Sequence, residues 1–395
     1  MNILIYKGKF QYGVVDLFID TIAEILEKRK HNVFLINLSD TDAMNKIVNS
    51  FTNQLIDCVI GFNGIGVDIK LNNNQSIYDV VNTNFLAIYV DHPAHLMSRI
   101  IEPIKNHLIS FIDKEHVNFI NEVLPQNHKI SFFLPHGGLP SGTMNVISVE
   151  QYKEEKEIDI LFSGSFMGEI RKDWEISPFF PKEIIEKVCE KLIYDDYSTI
   201  HKVFEEVCTE EGIKFSLISK AQLSKLFVQI ITYTRQFKRN MLIKRIIESG
   251  LNITICGKNW GDFISGYKNV DYRGELNIQD TLKLINKSKI LVNATPNFTN
   301  GSHERVFTGM LHNTVIFSDK SKYYDELFDE GETILYYSLN SIDKDIEILK
   351  TYLKDHKKLF DMSKKAYFLA HEKHRWENRV DRILEMIQLS KMMDI

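Results

Sequence analysis

The sequence has only four cysteines in 395 residues, Cys58, Cys189, Cys208 and Cys256, and they do not share the short spacings of a metal site. Such sparse cysteine usage is typical of a reducing compartment. The first residues do not form a charged segment followed by an apolar one, and no run of 18 apolar residues occurs. We therefore expect a cytoplasmic protein with no transmembrane segment.

An excess of positive charge is also missing. The net charge is -5, which gives no reason to expect a nucleic-acid partner. The most basic stretch, residues 235–245, alternates with apolar residues and predicts a solvent-exposed helix face. Low-complexity segments and short-period repeats are absent too, whereas a hydrophobic content of 44% supports the cores of two domains.

The first half of the sequence contains apolar strands that are separated by helical segments. MNILIY leads through a loop with Gly8 and Gly13 into an amphipathic helix and then into the strand HNVFLINL. Four more apolar strands follow, up to about residue 138. This alternation predicts a mostly parallel, doubly wound α/β sheet, which we assign to a domain of residues 1–150.

Glycine-rich or polar turns follow several of these strands. They are Gly8–Gly13, Asn63-Gly64, Asp91-His92-Pro93 and His136-Gly137-Gly138. Ligands of such sheets gather at the carboxyl ends of the strands, so four turns of this kind at one edge favour a binding site. Each segment alone is more typical of an ordinary turn.

The second half of the sequence predicts another α/β domain. A polar segment, residues 141–157, is typical of a domain border, and the strand IDILFSGSF begins directly after it. A helical stretch of about residues 180–249 is longer than one crossover needs, and four short strands follow it. We assign residues 156–370 to this domain, with the helical stretch as an insertion.

A polar loop with the sequence NGSHER, residues 300–305, precedes a predicted helix of this domain. Helix N-termini leave N–H groups unpaired and carry partial positive charge, so they suit phosphate. Gly301 permits close approach, and Ser302, His303 and Arg305 add a hydroxyl, an imidazole and a guanidinium. Lys258 follows another strand of the same domain. An anion site and a surface helix capped by Asn300 or Ser302 explain these residues equally well.

The segment SKILVNATPNFTNGSHERVFTGMLHNTVIFSDKSKYYDELFDEGE resembles the nucleotide-sugar-binding region of GT-B glycosyltransferases, and it is closest to their bacterial group-1-like, CgeB-like (spore maturation) branch. VDYRGEL resembles the part that flanks the base, and ILFSGS resembles the first strand and loop of the C-terminal domain. HEKHRWENRVDRILEMI resembles the closing helices, so we expect residues 371–395 to form a closing C-terminal helix that crosses back onto the N-terminal domain. The resemblance covers residues 156–395, and over residues 1–155 it is only architectural.

The sequence departs from this family where group-1 enzymes often carry two glutamates with seven residues between them. Asn300 stands at the first of these positions and Thr308 at the second, before Gly309-Met310. His312 and Asn313 replace a small residue and glycine before the next strand. This sequence therefore lacks the carboxylate that makes the ribose contact in the family.

The resemblance implies a GT-B-like fold of two Rossmann-like domains, and transfer of a sugar from a nucleoside diphosphate sugar to a protein or cell-surface glycan acceptor. The nucleotide sugar is then a co-substrate, and we expect no separate cofactor and no metal. The residues expected on the donor diphosphate are Lys258, Asn300, Gly301, Ser302, His303, Arg305, Ser163 and Gly164. Those expected near the base and ribose are Glu275, Leu276 and Thr308.

The acceptor and any general base are expected on the N-terminal domain. Asp91 and His92 are the candidates for the base, because a carboxylate or an imidazole at a strand end can take a hydroxyl proton. The other residues expected on the acceptor side are Tyr12, Gly13, Asn63 and His136. The same Asp91-His92-Pro93 segment is also consistent with a purely structural turn.

Other interpretations stay open at this point. Asp40-Thr41-Asp42 resembles the metal-binding triplet of GT-A glycosyltransferases but is more typical of a loop at a helix start, and Asp91, His92 and His95 lack further ligands nearby in the sequence. The alternative functions are a nucleotide-sugar epimerase or hydrolase of GT-B fold and a non-catalytic sugar-nucleotide-binding or assembly protein. A dinucleotide oxidoreductase is disfavoured because no strand precedes a G-x-G-x-x-G motif.

Overall fold

Two parallel sheets with flanking helices make up the protein in this computed structural model, which describes residues 1–9, 13–141, 148–176, 178–215, 218–295 and 298–393. The strands are β1 (Asn2–Lys7), β2 (Asn32–Asn37), β3 (Cys58–Phe62), β4 (Asn84–Tyr89), β5 (His107–Phe111), β6 (Ile130–Phe133), β7 (Ile158–Ser163), β8 (Ile253–Cys256), β9 (Val270–Tyr272), β10 (Ser288–Asn293), β11 (Val315–Asp319) and β12 (Leu335–Tyr337).

The helices between them are mostly amphipathic. They are α1 (Val14–Lys28), α2 (Ala43–Asn53), α3 (Ile77–Val80), α4 (Met97–Ile100), α5 (Lys114–Val123), α6 (Val149–Glu155), α7 (Asp173–Ile176), α8 (Lys182–Tyr194), α9 (Ile200–Glu210), α10 (Lys220–Glu248), α11 (Ile278–Asn286), α12 (Glu304–Leu311), α13 (Lys322–Leu327), α14 (Ile342–Lys354), α15 (His356–Lys373) and α16 (Trp376–Met392). Among the described residues, no helix is both long and apolar enough to cross a membrane.

The chain forms two compact units. The first contains Met1–Gly137 together with Trp376–Ile395, and the second contains Gly138–Arg375. The assignment of residues 1–150, 156–370 and 371–395 to an acceptor-side domain, a donor domain and a closing helix stays a prediction.

The sheet of the first unit has the strand order β2-β1-β3-β4-β5-β6, and all its pairings are parallel. Every residue of β3, β4 and β5 is buried. Continuous burial is expected of parallel strands that helices cover on both faces. The predicted doubly wound sheet is confirmed for this half of the chain.

Helix α16 belongs to the first unit although it comes last in the sequence. The indole of Trp376 packs at 4.9 Å from the ring of Phe18 and 6.3 Å from that of Phe62. Arg379 Nε donates to the carbonyl of His136 at 3.0 Å, and the Ser390 hydroxyl donates to Asn84 Oδ1 at 2.7 Å. Residues from the far end of the sequence therefore complete the core of this unit.

The sheet of the second unit has the order β12-β11-β10-β7-β8-β9, again with parallel pairings. The chain winds outward in one direction from β7 through β8 and then in the other through β10, which is the Rossmann arrangement. The structure confirms the two doubly wound sheets and the extra helices, α8 to α10, after the first strand of the second sheet. Strand β12 was not among the predicted strands.

Helix α10 differs from its prediction. Residues 235–245 were expected to form a solvent-exposed face, but Gln236 and Asn240 are buried. Gln236 Nε2 donates to the carbonyl of Met167 at 2.9 Å, and Arg239 Nη1 donates to that of Ser165 at 3.1 Å. The prediction was wrong for this part of the stretch because the 29-residue helix packs on several sides, so Gln236 and Arg239 bind the loop after β7. Lys244 and Arg245 are exposed, as predicted.

Candidate functional site

The second unit has its switch point between the adjacent strands β7 and β10, and β8 lies on the other side of β7. Ligands of open α/β sheets bind at the carboxyl ends of the strands at such a point. Ser163, Cys256 and Asn293 end these three strands. The predicted donor residues Lys258 and Arg305 lie in segments that follow β8 and β10, so the topology brings them to the same edge.

The loops after β7 and β8 are joined by hydrogen bonds. The Gly164 N–H donates to the carbonyl of Cys256 at 2.9 Å, and the Phe166 N–H donates to that of Lys258 at 2.9 Å. The Lys258 N–H donates to Ser165 Oγ at 3.0 Å. The Gly164 amide, which we expected to face phosphate, is thus engaged inside the unit. The Ser163 hydroxyl in turn hydrogen-bonds to the Cys256 thiol.

The loops after β8 and β9 contribute an ion pair. Lys258 Nζ lies 3.0 Å from Glu275 Oε1, and both side chains are about half exposed. Leu276 follows Glu275 directly. One residue expected on the diphosphate and one expected on the base are therefore neighbours at the mouth of the candidate site.

The NGSHER loop is held by helix α13 and the residue before it. The Gly301 N–H donates to Ser321 Oγ at 3.2 Å, and the same hydroxyl donates to the Gly301 carbonyl at 2.9 Å. The His303 N–H donates to Tyr324 OH at 3.0 Å. Ser302 is fully buried, whereas Asn300 is partly exposed. The N–H groups of Gly301 and His303, which were expected to bind phosphate, therefore bind side chains of the protein and fix the loop.

His303 is the N-cap of α12. Its Nδ1 atom accepts from the Arg305 N–H at 3.3 Å and also lies against the Glu304 carboxylate. The two contacts compete, because Nδ1 must be unprotonated for the first and protonated for the second. Burial lowers the pKa of His303, although the Glu304 charge raises it. The N-cap was expected at Asn300 or Ser302, and it lies one residue beyond Ser302 because Tyr324 fixes the His303 amide.

Arg305 points back toward the strand ends from the first turn of α12. Its Nη1 donates to Asn293 Oδ1 at 3.2 Å. Arg239 approaches the same edge from α10, with its guanidinium 5.9 Å from the centre of the Phe162 ring. Within the described part of the chain, Arg239 has no ion-pair partner. Two guanidinium groups from different helices thus converge on the carboxyl ends of β7 and β10.

Positive charges are concentrated at the carboxyl ends of β7 and β10. Burial, together with the positive charges of Arg235 and Arg305, lowers the pKa of Arg239 to about 9. Arg305 likewise lowers the pKa of the Cys256 thiol, which burial raises. The guanidinium of Arg239 remains protonated at neutral pH, and an anion would relieve the repulsion between these cations. Sequence reasoning missed Arg239, for which the only signal was a basic stretch that looked exposed.

Thr308, expected on the ribose side, is buried in α12, where its Oγ1 accepts from the Leu139 N–H at 3.1 Å. This bond ties the helix to the segment that begins the second unit.

In the first unit, the turns after β3 and β4 meet. Asn63 Nδ2 donates to Asp91 Oδ2 at 2.9 Å, and Asn63 Oδ1 accepts from the Val90 N–H at 2.9 Å. Arg99 Nη1 donates to the Asn63 carbonyl at 2.8 Å. Asn63 has a φ of 49°, which an asparagine tolerates better than most residues. The structure therefore brings two of the predicted acceptor-side residues into direct contact.

His92 is buried beside these residues. Its Nδ1 atom accepts from the Ala94 N–H at 3.1 Å, and its ring lies 4.5 Å from that of His116. A neutral imidazole has one donor and one acceptor nitrogen, so this contact leaves the proton on Nε2. In this geometry Nδ1 of His92 is already engaged, and Asp91 is the better proton acceptor of the pair.

The remaining predicted residues of the acceptor side are spread out. Gly13 precedes α1 with a φ of 71°. His136 is buried, with its ring 5.7 Å from Phe18. Tyr12 lies outside the described residues.

A lysine pairs with the two carboxylates of the Asp40-Thr41-Asp42 segment. Lys46 Nζ lies 2.9 Å from both Asp40 Oδ2 and Asp42 Oδ1, so the acidic triplet after β2 forms ion pairs. In the described ranges, no group of three or more His, Cys, Asp or Glu residues is arranged to hold a metal ion.

A family model described as "Glycosyl transferase-like" matches residues 235–385, which is less than half of the chain. No curated protein is detectably similar in sequence.

Solved structures match the chain over nearly its whole length. A sucrose-phosphate synthase from Thermosynechococcus elongatus has a TM-score of 0.56 at 10% identity and covers 100% of this chain and 99% of its own. A glycosyltransferase from Rickettsia africae has a TM-score of 0.52 at 11% identity, with 98% of both chains covered. The Anabaena protein HepE in complex with UDP-glucose has a TM-score of 0.50 at 12% identity, covering 98% of this chain and 99% of its own. The chain therefore has the two-domain, Rossmann-like GT-B fold of glycosyltransferases.

Proposed function

We propose that the protein is a glycosyltransferase that moves a sugar from a nucleoside diphosphate sugar to a protein or cell-surface glycan acceptor. The fold and the family match in the second unit support the general activity. The finer assignment, to the CgeB-like bacterial branch, rests on the sequence resemblance. A cytoplasmic location is part of the proposal and agrees with the four cysteines being free thiols.

The convergence of Arg239 and Arg305 at the switch point of the second sheet carries this proposal. Sugar transfer releases a nucleoside diphosphate, so negative charge develops on the leaving phosphate. Fixed cations that are already aimed at that position stabilise the transition state without reorganisation. Lys258 adds a third positive charge at the mouth, held by Glu275 at 3.0 Å until a phosphate competes for it.

The first unit supplies the acceptor side in this proposal. Asp91 is held by Asn63 at 2.9 Å and takes the proton of the attacking hydroxyl. His92, buried next to Asp91, belongs to the same acceptor side in this proposal. No cofactor other than the nucleotide sugar is proposed, and no metal ion is part of the reaction.

The test is a panel of labelled nucleotide sugars that includes UDP-glucose, the ligand of one matched structure. Binding is measured by calorimetry, and products are analysed with and without a glycan or protein acceptor. Transfer of label to the acceptor is the expected result. Release of free sugar or of an epimer in the absence of acceptor would indicate a hydrolase or an epimerase, and binding without turnover would indicate an assembly protein. Failure of every nucleotide sugar to bind would contradict the proposal.

A further inference from the structure

A buried carboxylate lies behind the arginine that faces the candidate donor site. Asp319 ends β11 and is 9% exposed. Its Oδ2 atom accepts from the Thr295 N–H at 2.7 Å, and its Oδ1 atom accepts from the Ser318 hydroxyl at 3.1 Å. Neither contact involves a cation, so this carboxylate is held by neutral donors.

The amide of Asn293 connects Asp319 with Arg305. Asn293 Nδ2 donates to Ser318 Oγ at 2.9 Å and lies 3.3 Å from Asp319 Oδ1. On the other side, Asn293 Oδ1 accepts from Arg305 Nη1 at 3.2 Å. The backbone of Asn293 is also fixed, because its carbonyl accepts from Tyr337 OH at 3.1 Å.

Only one orientation of this amide satisfies both neighbours. A guanidinium has only donors and an ionised carboxylate has only acceptors. If the amide were rotated by half a turn, its NH₂ group would face Arg305 and its oxygen would face Asp319, so both contacts would become repulsive. The charge on Asp319 therefore reinforces the orientation in which the amide oxygen holds Arg305, while the same Nδ2 atom also lies 3.0 Å from Thr295 Oγ1.

We propose that Asp319 is a positioning residue for the donor site, because its carboxylate orients the Asn293 amide, which in turn aims the Arg305 guanidinium at the diphosphate. This inference rests on the proposed function, in which Arg305 binds that diphosphate. Asp319 acts through the two residues and does not touch the substrate.

The proposal has a pH signature. Burial raises the pKa of Asp319 to about 6, although the Thr295 N–H and the Ser318 hydroxyl lower it. When Asp319 takes up a proton, its neutral carboxyl can offer an O–H and no longer reinforces the amide orientation that holds Arg305. Donor binding should therefore weaken as the pH falls through about 6. The other titratable or charged groups around this carboxylate are Lys238, Arg239, Asp196, Tyr324 and Tyr337.

The experiment is a double-mutant cycle on donor binding. The probe is the tightest binder among UDP-glucose, GDP-mannose and CDP-glucose, whose diphosphate diesters do not titrate near pH 6. We expect Asp319→Asn to weaken binding about tenfold at pH 7.5, and less than about twofold when Arg305→Ala is already present. We also expect wild-type binding to weaken between pH 7 and 5, and the Asp319→Asn variant to lose this dependence.

Controls separate positioning from general loss of structure. Asp345→Asn is matched, since that carboxylate also accepts from a backbone N–H, of Ser338 at 3.0 Å, and from a hydroxyl, of Ser341 at 2.7 Å. It should leave binding unchanged. If Asp319→Asn does not fold, Asn293→Ser breaks the same connection and should show the same coupling to Arg305→Ala.

Equal weakening by Asp319→Asn with and without Arg305 would overturn the inference, as would a pH dependence that survives the substitution. Absence of any nucleotide-sugar binding by the wild type would instead overturn the proposed function, so the two failures are distinguishable.

Discussion

Gly164 and Gly257 touch backbone to backbone where the loops after β7 and β8 meet. Gly257 has a φ of +140°, and a Cβ atom there would overlap the Gly164 carbonyl and lie 2.8 Å from the Ser165 nitrogen. We predict that Gly257→Ala lowers the free energy of unfolding by about 2 kcal/mol, because it adds both strain and overlap. Urea unfolding measures this, with Gly261→Ala as the control, since its Cβ would meet open space. A Gly257→Ala variant as stable as the control would contradict the geometry.

Removing either guanidinium group should weaken the binding of a nucleoside diphosphate more than the binding of the nucleoside. We predict that Arg305→Met and Arg239→Met each weaken nucleoside diphosphate binding by about 1.5–3 kcal/mol, the range for a lost charge-assisted contact, and leave nucleoside binding nearly unchanged. Lys258→Met should have a smaller effect, because this lysine is half exposed and its charge is screened.

Arg245→Met is the matched control for that series. Arg245 lies on the same helix as Arg239, but its Nε faces Asp343 at 3.8 Å on an exposed surface. Calorimetric titration with UDP and with uridine, or with the corresponding pair for another base, provides the measurement. Equal losses for diphosphate and nucleoside would mean that the two arginines do not contact phosphate.

Transfer should not require a divalent ion. We predict that activity persists in excess chelator, because cations of the protein take the part that a metal would play at the leaving phosphate. Asp40→Asn together with Asp42→Asn should not alter the rate, since these carboxylates pair with Lys46. Loss of activity in chelator and its return with manganese or magnesium would contradict this prediction.

The acceptor side can be tested separately from the donor side. We predict that Asp91→Asn lowers the single-turnover transfer rate by about 10²-fold, the usual scale for a lost general base, and leaves nucleotide-sugar affinity unchanged. The amide keeps an acceptor for Asn63, so the turn should persist. Asp79→Asn is the control, a carboxylate of the same unit that accepts from the Lys105 N–H at 2.9 Å. Near wild-type transfer by Asp91→Asn would make the turn merely structural.

Buried histidine should make the protein sensitive to acid. Burial lowers the pKa of His107 to about 3, so between pH 6.5 and 3 the unfolded chain binds a proton there and the folded chain does not. The free energy of unfolding should therefore decrease by about 1.4 kcal/mol for each unit by which the pH is lowered in this range, from this group alone. Denaturant titrations of His107→Gln should show a smaller decline than those of the exposed control His371→Gln. Identical slopes would contradict the assignment.

Much of the fold was predictable because parallel strands that helices cover on both faces are almost continuously apolar. Strands β3 and β4 are fully buried, and their adjacency explains why the turn residues Asn63 and Asp91 meet. Strand β12, Leu335–Tyr337, escaped prediction. Its contribution depends on pairing with β11, which is a tertiary contact.

The candidate site was predictable only where a local pattern exists. A polar loop before an apolar-periodic segment identified the start of α12, and with it Arg305. Arg239 gave no such signal, because α10 is apolar on more than one side and its sequence period does not tell which polar residue turns inward. Asp319 ends an apolar strand, where a polar residue is common, so its sequence position provided no signal. Its connection to Arg305 depends on the amide of Asn293, 26 residues earlier.

The return of α16 to the first unit has a consequence for biosynthesis. Phe18 and Phe62 emerge early from the ribosome, but Trp376, which covers them, is made only after the whole second unit. At roughly 5–20 residues per second, residues 138–375 take on the order of ten to fifty seconds to synthesise. During that interval the nascent first unit exposes an aromatic surface of the kind that chaperones bind.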